Sequence, residues 1–162
     1  MKLKIYSDPL LLDFIKICAA LPEDERKQIE AFSGHAYDID GAAVGNFMVA
    51  GPKWVAKDEN DQPVAIGGFV EQRPGVYRDF LLSTPDAWSK YWFQLTRICR
   101  RVMDGMLHNG VHRLECVVPA NRLSSRAELA RWYKVLGYNK ESLHYGYCAD
   151  GTDAVMFSRV RH

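Results

Sequence analysis

The four cysteines, Cys18, Cys99, Cys116 and Cys148, are scattered and form no CxxC pair. That argues against a disulfide framework or a structural zinc site, and points to reduced thiols in a cytoplasmic setting. No run approaches the roughly 20 apolar residues needed to cross a bilayer. The opening MKLKIYSDPLLLDF lacks the long apolar stretch and small-residue cleavage site of a signal peptide. Charge of one sign is missing too: 21 lysines and arginines stand against 20 acidic residues, so no overall field draws in nucleic acid or an anionic membrane. Repeats and low-complexity segments are absent. So is glycine between Gly75 and Gly105, which removes the residue that lets backbone approach a phosphate closely.

What is present can build one core. A chain of 162 residues with 48% hydrophobic composition is expected to fold as a single domain over residues 1–162. Residues 2–6 alternate charged and apolar side chains, the period of a half-buried strand. Ser7-Asp8-Pro9 then supplies a cap and a first-turn proline for a helix expected to turn Leu11, Leu12, Phe14, Ile15 and Cys18 inward. Residues 22–32 read as a second helix, whose Glu23, Asp24 and Glu25 suit the positive end of the helix dipole and form a solvated face. Residues 33–51 show no firm period and read as a connector. Apolar runs at 54–56 and 64–70 flank polar residues 58–62 as in a hairpin. After the Pro74-Gly75 turn, residues 76–83 make a third strand of an antiparallel meander.

From Trp88 to Met106 apolar residues recur every three or four positions, which marks the longest helix; Asn109-Gly110 ends it. Residues 113–118 form a short apolar strand, and a helix follows from about Ser125, with Ser125 and Glu128 spaced as a capping box. Two strands, at about 138–147 and 153–160, close the chain. The order β α α β β β α β α β β contains one crossover unit, in which the strands at 76–83 and 113–118 lie parallel across the long helix.

On this order and two local stretches the sequence resembles the GNAT superfamily of acyl-CoA-dependent N-acetyltransferases. The stretches are the hairpin VAKDENDQPVAIGGFV and the segment ARWYKVLGYNKES, which is similar to the family's aromatic-Tyr-x-x-x-Gly-aromatic pattern. The resemblance spans nearly the whole chain. It implies an α/β (α+β) fold with a mixed, mostly antiparallel central sheet of about seven strands and helices on both faces. It also implies acetyl transfer from acetyl-CoA to the amine of a small molecule or protein.

In that family the strand equivalent to residues 76–83 offers backbone groups to the pantetheine arm, here at Leu81, Leu82 and Ser83. The next helix start offers free amides to the diphosphate, usually through a Q/R-x-x-G-x-G/A stretch. The matching segment here is TPDAWSKYW, in which Asp86 opposes a phosphate and Ser89 and Lys90 remain as donor and counter-charge. Tyr133 matches the tyrosine that protonates the departing thiolate, or else packs on the sheet. Asn121 stands in for an asparagine usually found closer to that tyrosine. Asp79 and Glu71 are positioned as general bases, or as plain strand carboxylates. His108 and His112 are four apart, but Gly110 separates them and no glutamate follows His108, so no metal site is expected.

A second class stays open. The STPDAW entry followed by a basic, aromatic helix resembles small bacteriophage virion-associated proteins with a GNAT-like fold and a degenerate cofactor loop. That implies an interaction module with little or no catalysis, found in the host cytoplasm or the virion and partnered by virion proteins.

Overall fold

The computed structural model describes residues 2–161. Along the chain run β1 (Lys4–Ser7), α1 (Leu11–Ala19), α2 (Glu23–Ser33), α3 (Ile39–Met48), β2 (Lys53–Lys57), β3 (Pro63–Arg73) and β4 (Val76–Ser83). There follow α4 (Pro85–Ser89), α5 (Trp92–His108), β5 (Arg113–Pro119), α6 (Ala120–Ser125), α7 (Ala127–Val135), β6 (Asn139–His144) and β7 (Ala154–Val160). The seven strands form one sheet in the order β1-β2-β3-β4-β5-β7-β6. Every neighbouring pair is antiparallel except β4 and β5, which are parallel. A parallel pair needs a crossover connection, and α5 supplies it.

Helices cover both faces. On one face Met103 and Leu107 of α5 and Leu129, Trp132 and Tyr133 of α7 pack on Leu114 and Val118 of β5. On the other, Phe14, Ile17 and Cys18 of α1 and Ala43 of α3 pack on Val55, Ile66 and Leu82. Each large side chain buried in this way contributes about 1.5 to 3 kcal/mol. No helix among the described residues is long and apolar enough to cross a membrane.

Four local details differ from the sequence reading. The inward stripe of α1 is Phe14, Ile17 and Cys18, continued by Leu21, a spacing of three and four that leaves Leu12 56% exposed and Leu11 at the margin. Residues 39–48, read as connector, are the helix α3. Asp38 caps it by accepting the Gly41 amide at 2.7 Å. The helix expected to start at Trp88 is two helices, broken where Tyr91 leaves helical geometry (φ −119°, ψ 12°). The break lets Tyr91 turn toward Trp54, Ala56 and Ala87 while Trp92 joins Trp88 against Trp132. The capping box is not made: Ser125 bonds back to the Arg122 carbonyl, and Glu128 pairs with Arg126.

Gly67 and Gly68, which interrupt β3, have a packing reason. A Cβ on Gly67 would run into the Trp54 indole, and one on Gly68 into the Phe80 ring. Both rings therefore lie flat on the strand, one on each face of the sheet.

Candidate active site

The pairing of β4 with β5 stops early. Val76, Tyr77 and Arg78 are in register with Arg113, Leu114 and Glu115, and beyond them each strand follows its outer neighbour. Asp79 to Ser83 stay paired with β3, and Cys116 to Pro119 with β7. The two strands part as a wedge, with Asp79 and Cys116 at its vertex and Ser83 at its open end. A cavity of about 560 Å³ occupies the wedge, reached from the α5 and α7 side by Tyr133 and Trp132 and from the α2 side by Gln28 and Phe32.

At the vertex polar groups converge in a buried setting. Tyr138 donates its hydroxyl to Asp79 at 2.6 Å. The Cys116 thiol neighbours both Asp79 and the Tyr133 hydroxyl. Asp79 is half-buried and lines the cavity. Burial pushes its carboxyl up to about 6, against the hydrogen bonds from Tyr138 and Cys116 that pull it down. Tyr133 is only 6% exposed. Burial, and next the Cys116 thiol, drive its hydroxyl well above the usual phenol range, so it keeps its proton at neutral pH. Sequence reasoning pointed to Tyr133 and Asp79, and the fold brings them to one vertex; Tyr138 entered only as the closing aromatic of the ARWYKVLGYNKES segment, and Cys116 carried no motif.

The open end is different in kind. The Ser83 backbone N–H donates to the Glu25 carboxylate at 3.2 Å, and the Ser83 hydroxyl donates to the same carboxylate at 2.6 Å. The Trp88 indole N–H donates in turn to the Ser83 hydroxyl at 2.7 Å. Trp88 is stacked among Trp92 and Trp132, with ring centroids 5.1 and 5.2 Å away, and the Arg126 guanidinium lies 5.2 Å over its ring. Glu25 is 4% exposed, and burial pushes its carboxyl up to about 7, against the Ser83 hydrogen bonds that lower it. The first turn of α2 is thus a solvated face only at Glu23: Glu25 is inside, and Asp24 accepts from Arg122 and Arg126.

The remaining sequence candidates lie as follows. Leu81 packs against α5, and Leu82 is buried on the opposite face of the sheet. Ser89 bonds back to the Pro85 carbonyl, and Lys90 pairs with Asp86 at 3.4 Å on the exposed side of α4. Asn121 is exposed on α6 and lines a surface groove beside α2 rather than the wedge. Glu71 is exposed at the closed end of the β3–β4 pair, where it accepts the Tyr77 hydroxyl at 2.8 Å. Among the described residues no group of three His, Cys, Asp or Glu side chains is placed to hold a metal.

No family model and no curated protein matches the sequence. Solved structures do match. A GNAT-family acetyltransferase from Bacillus anthracis superposes with a TM-score of 0.71 at 12% identity, over 99% of this chain and 95% of the other. This chain has the GNAT fold. A mutant spermidine N-acetyltransferase from Vibrio cholerae gives a TM-score of 0.68 at 11% identity, over 99% and 95% of the two chains. The ribosomal-protein-S18-alanine N-acetyltransferase from Escherichia coli gives 0.64 at 16% identity, over 98% and 94%. At such identities the likeness is one of architecture, and chemistry has to be argued from the residues present.

An acyl-CoA implied by the GNAT fold fits this wedge at one end and not at the other. At the vertex, the cavity and the protonated Tyr133 hydroxyl suit a thioester. At the open end the Ser83 amide is taken by Glu25, Trp88 fills the corner, and α4 has one turn with Asp86 in it. A carboxylate within about 4 Å of a phosphate would cost about 1 to 4 kcal/mol at surface dielectric constants. The residues of the open end do not fit a diphosphate.

Proposed function

We propose that this protein is an N-acyltransferase that moves an acyl group, acetyl in the first instance, from a CoA-type thioester to the amine of a small molecule or a protein. The observation that carries this is the convergence of Tyr133, Cys116 and Asp79 where the parallel strands of a GNAT fold part. The thioester brings an activated acyl group, and the chain's own residues move protons. Tyr133 holds its proton and donates it to the sulfur that departs. Asp79, ionised above about pH 6, accepts the proton the amine must lose. The Leu81 side chain and the walls of the cavity exclude water from the thioester. The grip is at the reacting end, so donor affinity is weak. Four free cysteines agree with work in the cytoplasm.

The test is thiol release from acetyl-CoA with a panel of polyamines, amino-sugars and peptide N-termini. Tyr133→Phe is expected to lower turnover about 10- to 1000-fold with folding intact, since only the phenolic proton is lost. Equal turnover in variant and parent would assign Tyr133 to packing alone.

A second reading, a catalytically silent module of the bacteriophage virion kind, draws support from the filled open end, where Trp88 and Glu25 occupy the corner a diphosphate would need. It expects no thiol release with any amine, and stable association with a virion protein instead.

A further inference from the structure

Helix α2 crosses the open end of the wedge and holds both of its arms. On the β4 arm Glu25 accepts the Ser83 amide and hydroxyl. Toward the β5 arm, Asp24 accepts from Arg122 and Arg126, each at 2.9 Å, and the Gln28 side chain accepts from Arg122 at 2.8 Å. We propose that α2 is an autoinhibitory bolt: Glu25 occupies the place on β4 where the amide-bearing arm of an acyl thioester would lie, and it must leave Ser83 before the donor can bind. This rests on the acyl-transfer reading.

The direction of the Ser83 amide supports it. Thr84, the next residue, donates its N–H to the Val64 carbonyl of β3 at 3.0 Å. Successive amides of a strand point to opposite sides, so the Ser83 N–H points away from β3 and into the wedge. There β5 has no residue in register with it. A strand edge left open in this way takes an extended, amide-bearing ligand as it would take another strand. In this structure a side chain from the same protein has taken it.

The bolt is a single connected unit. Trp88 donates to the Ser83 hydroxyl, which donates to Glu25, so the indole that fills the corner is held by the same carboxylate. Withdrawing Glu25 frees the hydroxyl to turn, and Trp88 loses its anchor. The contact is also one the protein can release. A carboxylate buried there is disfavoured in its charged form, as its upward shift records, and exposure to water relieves that cost. Asp24 lies beside it and raises it further, while Arg122 opposes both.

The experiment is a calorimetric titration of acetyl-CoA into the parent, Glu25→Ala and Trp88→Phe, with amide hydrogen exchange followed at Ser83 in each. One charge-assisted hydrogen bond competes with the donor, so Glu25→Ala is expected to bind acetyl-CoA at least about tenfold more tightly than the parent. Trp88→Phe, which keeps the corner filled but removes the N–H, is expected to gain about threefold and guards against a Glu25 variant that fails to fold. Exchange at Ser83 is expected to speed up in Glu25→Ala without ligand and to slow again when acetyl-CoA is added. Equal affinities in all three proteins, or Ser83 exchange unaltered by Glu25→Ala, would overturn the bolt while leaving acyl transfer at the vertex standing. Tighter binding in Glu25→Ala with no thiol release from any amine would uphold the bolt and sink the transferase reading.

Discussion

The vertex of the wedge and its open end lie on the same two strands and have opposite characters. At the vertex Asp79 accepts from Tyr138 and neighbours Cys116 and Tyr133, and the three line a cavity with room for a ligand. At the open end the polar groups are spent on each other: Ser83 on Glu25, Trp88 on Ser83, Lys90 on Asp86. The vertex follows from topology, because β4 and β5 must part once each follows its outer neighbour. The open end follows from individual side chains, which can change without touching the sheet. A fold can therefore keep the geometry of a reaction while the grip on its donor is lost or locked.

The largest effect should come from joining the two regions at Trp132, whose ring meets Trp88 and Trp92 on one side and Tyr133 on the other. Trp132→Ala is expected to destabilise the fold by about 3 to 5 kcal/mol, measured by urea unfolding. A loss under about 1 kcal/mol would mean the aromatic filling is a loose plug rather than core.

Next comes pH. Glu25 has a folded value of about 7 against a reference of 4.5, so the folded state holds the proton more tightly than the unfolded chain. Its contribution is fully present below about pH 4.5 and is lost as pH rises through 7. Asp79, raised from 3.8 to about 6, acts in the same direction over a lower window. In Glu25→Gln the Glu25 share vanishes, so between pH 4.5 and 7.5 the stability of the parent should fall relative to the variant by about 3 kcal/mol. Parallel pH curves for the two proteins would show that Glu25 is solvated and the open end less closed than its hydrogen bonds indicate.

The smallest effect is expected at Asp86. Its pair with Lys90 is exposed on both sides, so Asp86→Asn should change stability by less than about 0.5 kcal/mol. Removing its charge should still strengthen donor binding a few-fold, because a repulsion near the phosphates is gone. Unchanged or weaker binding would move the diphosphate away from α4 altogether.

Much of the architecture was legible in the sequence because period and order carry it. The alternation in β4 and the apolar stripe of α5 sufficed to place the parallel pair and its crossover, and the missing glycines announced an altered phosphate corner. The helix α3 was hidden because IDGAAVGNFM has two glycines and small residues in place of an apolar stripe; only the Asp38 cap hinted at it. Within the site, Tyr133 and Asp79 could be found from their positions in a pattern. Glu25 could not, because an acidic residue in a helix's first turn reads as dipole compensation whether it faces water or a strand edge. Its role depends on where α2 lands relative to Ser83, 58 residues away. Nor could sequence separate Glu71 from Asp79, two carboxylates on neighbouring strands; the register of β3 against β4 puts one at the solvent and the other over the cavity.

The most direct measurement is the melting temperature of the unmodified protein with and without 1 mM acetyl-CoA. A ligand that binds only the folded state stabilises it by RT ln(1 + [L]/Kd). With the open end closed, Kd is expected near millimolar, the gain is about 0.4 kcal/mol, and the shift is a degree or two. A shift of several degrees, matching about 4 kcal/mol and a micromolar Kd, would contradict the closed open end and show that the donor displaces Glu25 and Trp88 without hindrance.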